Sequence, residues 1–156
     1  MTEIPLLAAG LHASTVKKRK DAAAELGKSG NPSAIGPLAA AFPDPHPGVR
    51  SEIVQALGRL GDSEAIPALI TALDDAEPGI RCAAIAALGR IRNRAAVSPL
   101  IGCLKDKDMT VRIGAATVLG KLGDPRAIQP LTPLLDDPFS EVRNSAIVAI
   151  RKLTGK

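Results

Sequence analysis

Arginine recurs at Arg19, Arg50, Arg81, Arg112 and Arg143, each 31 residues after the last. A spacing that constant, carried along the chain, means one supersecondary unit copied and stacked. Five units of 31 residues account for 155 of the 156 residues, which leaves no room for a catalytic insertion or a long linker.

Whole rows of apolar residues share the interval. Leu26, Leu57, Leu88, Leu119 and Ile150 form one row, Ile4, Ile35, Ile66, Val97 and Ile128 a second, and Leu7, Leu38, Leu69, Leu100 and Leu131 a third. Leu11, Phe42, Leu73, Leu104 and Leu135 form a fourth, and Val49, Ile80, Val111 and Val142 each precede their arginine. All are predicted to be core. Within a unit, Ile35, Leu38 and Phe42 fall at i, i+3 and i+7, and Val49, Ile53, Leu57 and Leu60 at i, i+4, i+8 and i+11. That is helical period twice over, without the alternation a strand requires, so each unit is predicted to hold two helices of about three turns.

Punctuation agrees with the period. Asn31, Asp62, Asn93 and Asp124 stand where a short acceptor can cap the first helix of a unit, two of them followed by proline. Gly30, Gly61 and Gly123 come just before, where a helix ends in a left-handed residue. A second row, Gly27, Gly58, Gly89 and Gly120, lies inside the arginine helix, where glycine costs about 1 kcal/mol relative to alanine. Close approach of the next backbone would offset that cost, and Arg151 in the same row of the last unit fits a unit with no successor; helix fraying is the alternative.

With Asp44, Asp75, Asp106 and Asp137 each six residues before an arginine, and Leu-Gly-Lys/Arg-Leu-Gly-Asp joining the helices, the repeat resembles the short HEAT repeats typified by the phycobilisome lyase HEAT-like family. The resemblance implies an all-α, α-α superhelix, a HEAT-repeat solenoid of five two-helix repeats. It also implies a ladder of hydrogen bonds from unit to unit between Asp44, Asp75, Asp106, Asp137 and the arginines Arg50, Arg81, Arg112, Arg143. Electrostatics gives an independent reason for such pairing: arginine in the first helical turn faces the positive end of the dipole and calls for an anion. These charges are therefore predicted to be structural. Ala13 replaces the aspartate and Lys18 the apolar residue in the first unit, which reads as an end of the array.

The chain is expected to form one domain over 1–156, with repeats near 1–31, 32–62, 63–93, 94–124 and 125–156. Phe42 and Phe139 are its only aromatics; the aromatic positions of tetratricopeptide repeats and the Thr-Pro-Leu-His signature of ankyrin repeats are both missing. The segment Ile4 to Leu11 is too short for a signal peptide and follows no basic run, and no stretch is long enough to cross a membrane. Cys82 and Cys103 are too few for a disulfide framework. A cytoplasmic protein with free thiols is the simplest reading.

Enzyme chemistry finds little support. His12 and His46 lack carboxylate or cysteine companions at a shared-site spacing, and the glycines are repeat punctuation rather than a phosphate loop. Neither metal nor cofactor is expected. The resemblance alone keeps open a bilin lyase-like subunit or chromophore chaperone, although a chromophore pocket without Trp or Tyr would be unusual.

Function then rests on the solvent side of the arginine helix, which lines the concave surface in HEAT arrays. Two positions after the arginine come Asp21, Glu52, Ala83, Gly114 and Ser145; five after it, Ala24, Gln55, Ala86, Thr117 and Val148. Ala83, Ala86 and Thr117, with Cys82 and Ile113, form a small, apolar stretch suited to a partner helix, unless these rows are buried between neighbours. Nine positions after the arginine every residue is cationic: Lys28, Arg59, Arg90, Lys121 and Lys152. The dipole favours cations at a helix end, which explains the row by structure alone; the other reading is a basic stripe, thickened by Arg92, Arg94 and Arg126. Arg92 stands where glycine is the rule, and is read as giving up the usual cap. The candidate partner-binding set is Arg59, Arg90, Arg92, Arg94 and Lys121 with Cys82, Ala83, Ala86, Ile113 and Thr117.

A net charge of +4 without stacking aromatics argues against a nucleic-acid partner. The favoured reading is a non-catalytic protein-interaction scaffold. A structural adaptor that associates with itself end to end, through Ile147, Val148, Ile150 and Leu153 of the last repeat, is the third alternative.

Overall fold

The computed structural model describes residues 3–156. Among them lie ten α-helices and no strand. The chain groups into two compact units, 1–91 and 92–156.

The first unit runs α1 (Ile4–Gly10), α2 (Val16–Lys28), α3 (Ile35–Ala41), α4 (Pro47–Leu60), α5 (Ile66–Ala72) and α6 (Pro78–Ile91). The second runs α7 (Val97–Cys103), α8 (Met109–Leu122), α9 (Ile128–Leu131) and α10 (Ser140–Thr154). From the second repeat on, the first helix opens as a 3₁₀ turn: Pro32–Ala34, Ser63–Ala65, Arg94–Ala96 and Pro125–Ala127. Each turn is set by its cap. Asn31, Asp62, Asn93 and Asp124 accept the N–H two residues on, from Ser33, Glu64, Ala95 and Arg126 at 2.8–3.0 Å. That short loop tightens the entry, and the α-helical part that follows is two turns long in α3, α5 and α7 and a single turn in α9, rather than the three turns that periodicity predicts.

The second helices of successive repeats pack against one another, α2 on α4 and α4 on α6 in the first unit, α8 on α10 in the second. Glycine makes this possible. A Cβ built on Gly27 would lie 2.7 Å from the Ala56 Cα, and one on Gly120 2.9 Å from the Ala149 Cα. Neither contact is tolerable, and both are with backbone, so these helices are closer than any side chain permits. Gly30, Gly61 and Gly123 hold left-handed φ values of 65–72° at the helix ends.

Leu26, Leu57, Leu88 and Leu119 are sealed from solvent, as are Leu38, Leu69, Leu100 and Leu131. One core row fails at its last member. Leu135 is 37% exposed, while its neighbour Leu134 is buried. The cause is local winding: α9 stops at Leu131 and residues Thr132–Asp136 continue as 3₁₀ helix. With three residues per turn, Leu134 falls directly above Leu131 and Leu135 swings outward.

Candidate functional site

The repeating arginines adopt one geometry. Arg19 meets Asp44 through Nε to Oδ2 (2.7 Å) and Nη2 to Oδ1 (3.2 Å). Arg50 meets Asp75 at 2.8 and 3.2 Å, and Arg112 meets Asp137 at 2.9 and 3.1 Å, atom for atom alike. Each is a bidentate fork across 25 residues, mostly withdrawn from water, with arginine side chains 12–16% and aspartates 6–8% exposed. The third arginine nitrogen turns back on its own repeat. Nη1 donates to the carbonyl six residues earlier: Ala13 for Arg19, Asp44 for Arg50, Asp75 for Arg81, Asp106 for Arg112 and Asp137 for Arg143. Sequence reasoning missed this bond because it ends on backbone, which carries no side-chain signature.

The aspartates do not cap the second helices directly. Asp44, Asp75, Asp106 and Asp137 accept the N–H two residues on, from His46, Glu77, Asp108 and Phe139. The helix start itself is capped one step later, by His46 Nδ1 accepting from Gly48 N–H and by Asp108 accepting from Thr110 and Val111. His46 is thus a cap residue. Burial pushes the Asp44 and Asp75 carboxyls upward, but the arginine hydrogen bonds, the backbone N–H and the guanidinium charge outweigh it, and both end below the usual 3.8. For Asp137 the Arg112 hydrogen bond is the largest influence, and the result is again a lowered pKa.

On the solvent side the predicted rows separate. Five positions after the arginine, Gln55, Ala86, Thr117 and Val148 are exposed; two positions after, Glu52, Ala83, Gly114 and Ser145 are half-buried, as are Cys82 and Ile113. Thr117 further turns its hydroxyl onto the Ile113 carbonyl at 2.8 Å. Nine positions after, Lys28, Arg59, Arg90, Lys121 and Lys152 are all exposed. Their charges are not all available. Lys28 pairs with Glu25 and Arg59 with Glu52, whereas Arg90, Arg92, Arg94 and Lys121 have no ion-pair partner within 4 Å among the described residues.

Arg126 does not join the stripe as a free cation. Its Nη2 lies 2.8 Å from Asp124 Oδ2 and its Nε contacts both carboxylate oxygens. That bond, reinforced by the Arg126 N–H, holds the Asp124 pKa down at about 2. The two-residue Asp-x-Arg spacing was the signal in the sequence.

Arg92 keeps the left-handed conformation that Gly30, Gly61 and Gly123 hold at the other helix ends, with φ 57°. A side chain there is strained by about 1 kcal/mol relative to glycine.

Clefts open on the surface of the described residues. One of about 260 Å³ lies between α8 and α10, lined by Thr117, Asn144, Ser145, Val148, Ala149 and Lys152. Another, of about 390 Å³, opens beside the Arg19–Asp44 pair and includes His12 and Ala41. Among the described residues no group of three His, Cys, Asp or Glu could hold a metal ion, and no helix is long and apolar enough to cross a membrane.

A family model for HEAT repeats matches residues 4–79 and 66–151. The complex of CpcE and CpcF of phycocyanin lyase from Nostoc sp. PCC7120 is similar along 100% of this chain, with 28% identity and a TM-score of 0.82; this chain spans 66% of that one. A designed armadillo repeat protein in complex with the peptide (KR)4 is similar over 97% of this chain and 82% of its own, with 23% identity and a TM-score of 0.72. Human deoxyhypusine hydroxylase in complex with glycerol shares the fold at 18% identity and a TM-score of 0.54, over 98% of this chain and 85% of its own. No curated protein matches the sequence. With its repeating arginines, paired helices and a family match running through every repeat, the chain belongs to the HEAT-repeat family.

Proposed function

We propose that this chain is a non-catalytic protein-interaction module whose partner contacts the solvent side of its second helices and the cations at their ends. One observation carries the reading: Arg90, Arg92, Arg94 and Lys121 are exposed and have no ion-pair partner within 4 Å among the described residues, while the arginines with a structural task are engaged and mostly withdrawn from water. Each unit presents its own set: Arg59, Ala86 and Arg90 are exposed in the first, where Cys82 and Ala83 are half-buried, and Arg92, Arg94, Thr117 and Lys121 are exposed in the second, where Ile113 is half-buried. An acidic protein segment suits such a surface. HEAT- and armadillo-like folds are typical of protein-interaction scaffolds, and the designed armadillo relative holds a peptide. Two cysteines, too few for a disulfide framework, favour a reducing, cytoplasmic setting. The test is affinity capture from native lysate, followed by the triple variant Arg90→Ser, Arg92→Gly, Arg94→Ser. Binding to the captured partner should weaken while the melting temperature does not fall, and unchanged binding removes the reading.

A second reading, a lyase-like subunit, is favoured by the likeness to the phycocyanin lyase complex along the whole of this chain. Co-expression with a bilin and a phycobiliprotein apo-subunit tests it. Covalent chromophore on the apo-subunit, dependent on this chain, supports that role; its absence leaves the scaffold alone.

A further inference from the structure

Arg143 completes only half of the pattern its counterparts share. Its Nη1 donates to the carbonyls of Asp137 (2.6 Å) and Pro138 (3.1 Å), but its Nε and Nη2, the edge that takes a carboxylate in Arg19, Arg50 and Arg112, meet no acceptor among the described residues. One turn along the same face of α10 lies Ile147. It is 37% exposed, although its counterparts Ala23, Val54, Ile85 and Ala116 are at most 1% exposed. A fork preformed for a carboxylate therefore stands beside an uncovered apolar side chain. Arg151, exposed one turn further along the same face, adds positive charge.

We infer that this edge of α10 is a docking surface for an acidic, apolar segment of another protein, one that places a carboxylate on Nε and Nη2 of Arg143 and an apolar side chain on Ile147. Three internal precedents define the bond, since Asp44, Asp75 and Asp137 meet the same guanidinium edge within this chain. Two residues decide the occupant. A second copy of the chain stacked head to tail would bring residue 13 to the fork, and residue 13 is Ala13, which has no carboxylate. A further repeat seated in the internal geometry would need glycine where Gly27 and Gly120 admit the next backbone; Arg151 occupies that position, and its Cβ alone forbids the approach. What fits is an irregular acidic segment that reaches the fork without lying helix on helix. Placing Arg here also suits planar, two-point recognition of a carboxylate rather than diffuse attraction.

The probe is a labelled peptide of residues 131–139 of this chain, the segment that carries Asp137 together with Leu134, Leu135 and Phe139. Its binding to the full-length protein is followed by fluorescence anisotropy and by the Arg143 Nε–H resonance. Saturable binding is expected, with Arg143→Lys, Ile147→Ser or a peptide bearing Asn for both aspartates each weakening it about tenfold, and Lys152→Gln changing it less than threefold. Ile147→Ser leaves the turn bonds of Arg143 intact, so it separates docking from folding. No binding to the wild-type chain, equal binding by Arg143→Lys and Ile147→Ser, or an equal loss from Lys152→Gln overturns the inference.

Discussion

Arg50 grips Asp75 along one whole edge of its guanidinium, Nε 2.8 Å from Oδ2 and Nη2 3.2 Å from Oδ1, while Nη1 closes on the Asp44 carbonyl at 2.9 Å. A single side chain thus ties the start of its own helix to the turn before it and to the next repeat. In a repeat array each unit contacts only its neighbours, so stability is a sum of unit and interface terms. Removing one carboxylate strands a largely buried cation. Asp75→Ala is expected to destabilise by about 3 kcal/mol, against less than about 1 kcal/mol for the exposed Asp21→Ala. Urea unfolding of both variants checks it, and equal midpoints would assign the pair no structural weight.

Acid should act on these same carboxylates. Asp44, Asp75, Asp137 and Asp124 all titrate lower in the fold than the usual 3.8, Asp124 at about 2. A depressed folded pKa contributes stability that is fully present above the unfolded value and is lost as pH falls through the folded one. Thermal stability is therefore expected to be flat with respect to these groups from pH 7 to about 5 and to drop between about 4 and 2. Melting curves at pH 7, 5, 3.5 and 2.5 test this, with Asp124→Asn expected to soften the drop.

Gly120 gives a case in which two effects oppose. Alanine is favoured over glycine inside a helix by about 1 kcal/mol. The added Cβ, however, would stand 2.9 Å from the Ala149 Cα, and backbone cannot step aside as a side chain can. Overpacking of this kind costs about 1–3 kcal/mol. Gly120→Ala is thus expected to lower stability on balance, and Gly27→Ala likewise. A rise in the urea midpoint of either would mean that the packed helices separate freely.

Much of this was legible from the 31-residue interval, because every repeat casts the same vote on period, cap and core. The pairing of aspartate with arginine was implied by the resemblance to short HEAT repeats and supported by the helix dipole. What was hidden depends on backbone. The carbonyl bonds of Nη1 and the ring cap of His46 arise from turn geometry that no side-chain row encodes. Leu135 was misplaced because the row assumes that each first helix winds alike, and the fifth does not. The solvent rows were the least legible: exposure of Ala86 but half-burial of Ala83 follows from how closely neighbouring helices pack, which residue identity does not state.

The change of winding in the last repeat can be weighed directly. Leu134 is 6% exposed and Leu135 37%. Truncating a buried leucine to alanine removes about 2–5 kcal/mol, while a partly exposed one matters far less. Leu134→Ala should therefore shift the urea midpoint several times further than Leu135→Ala. The reverse order would restore the register that uniform periodicity predicts.

Arg92 separates stability from binding. It sits at φ 57° where three other repeat ends use glycine, so Arg92→Gly relieves strain without touching a core residue. A gain of about 1 kcal/mol is expected, read as a higher melting temperature. Strain retained at one position invites a reason beyond folding, and an exposed guanidinium with no ion-pair partner among the described residues supplies one. Should Arg92 contact a partner, the stabilised variant will bind more weakly; the two readouts move in opposite directions. A variant that is more stable and binds as well as the wild type would leave Arg92 with no part in recognition.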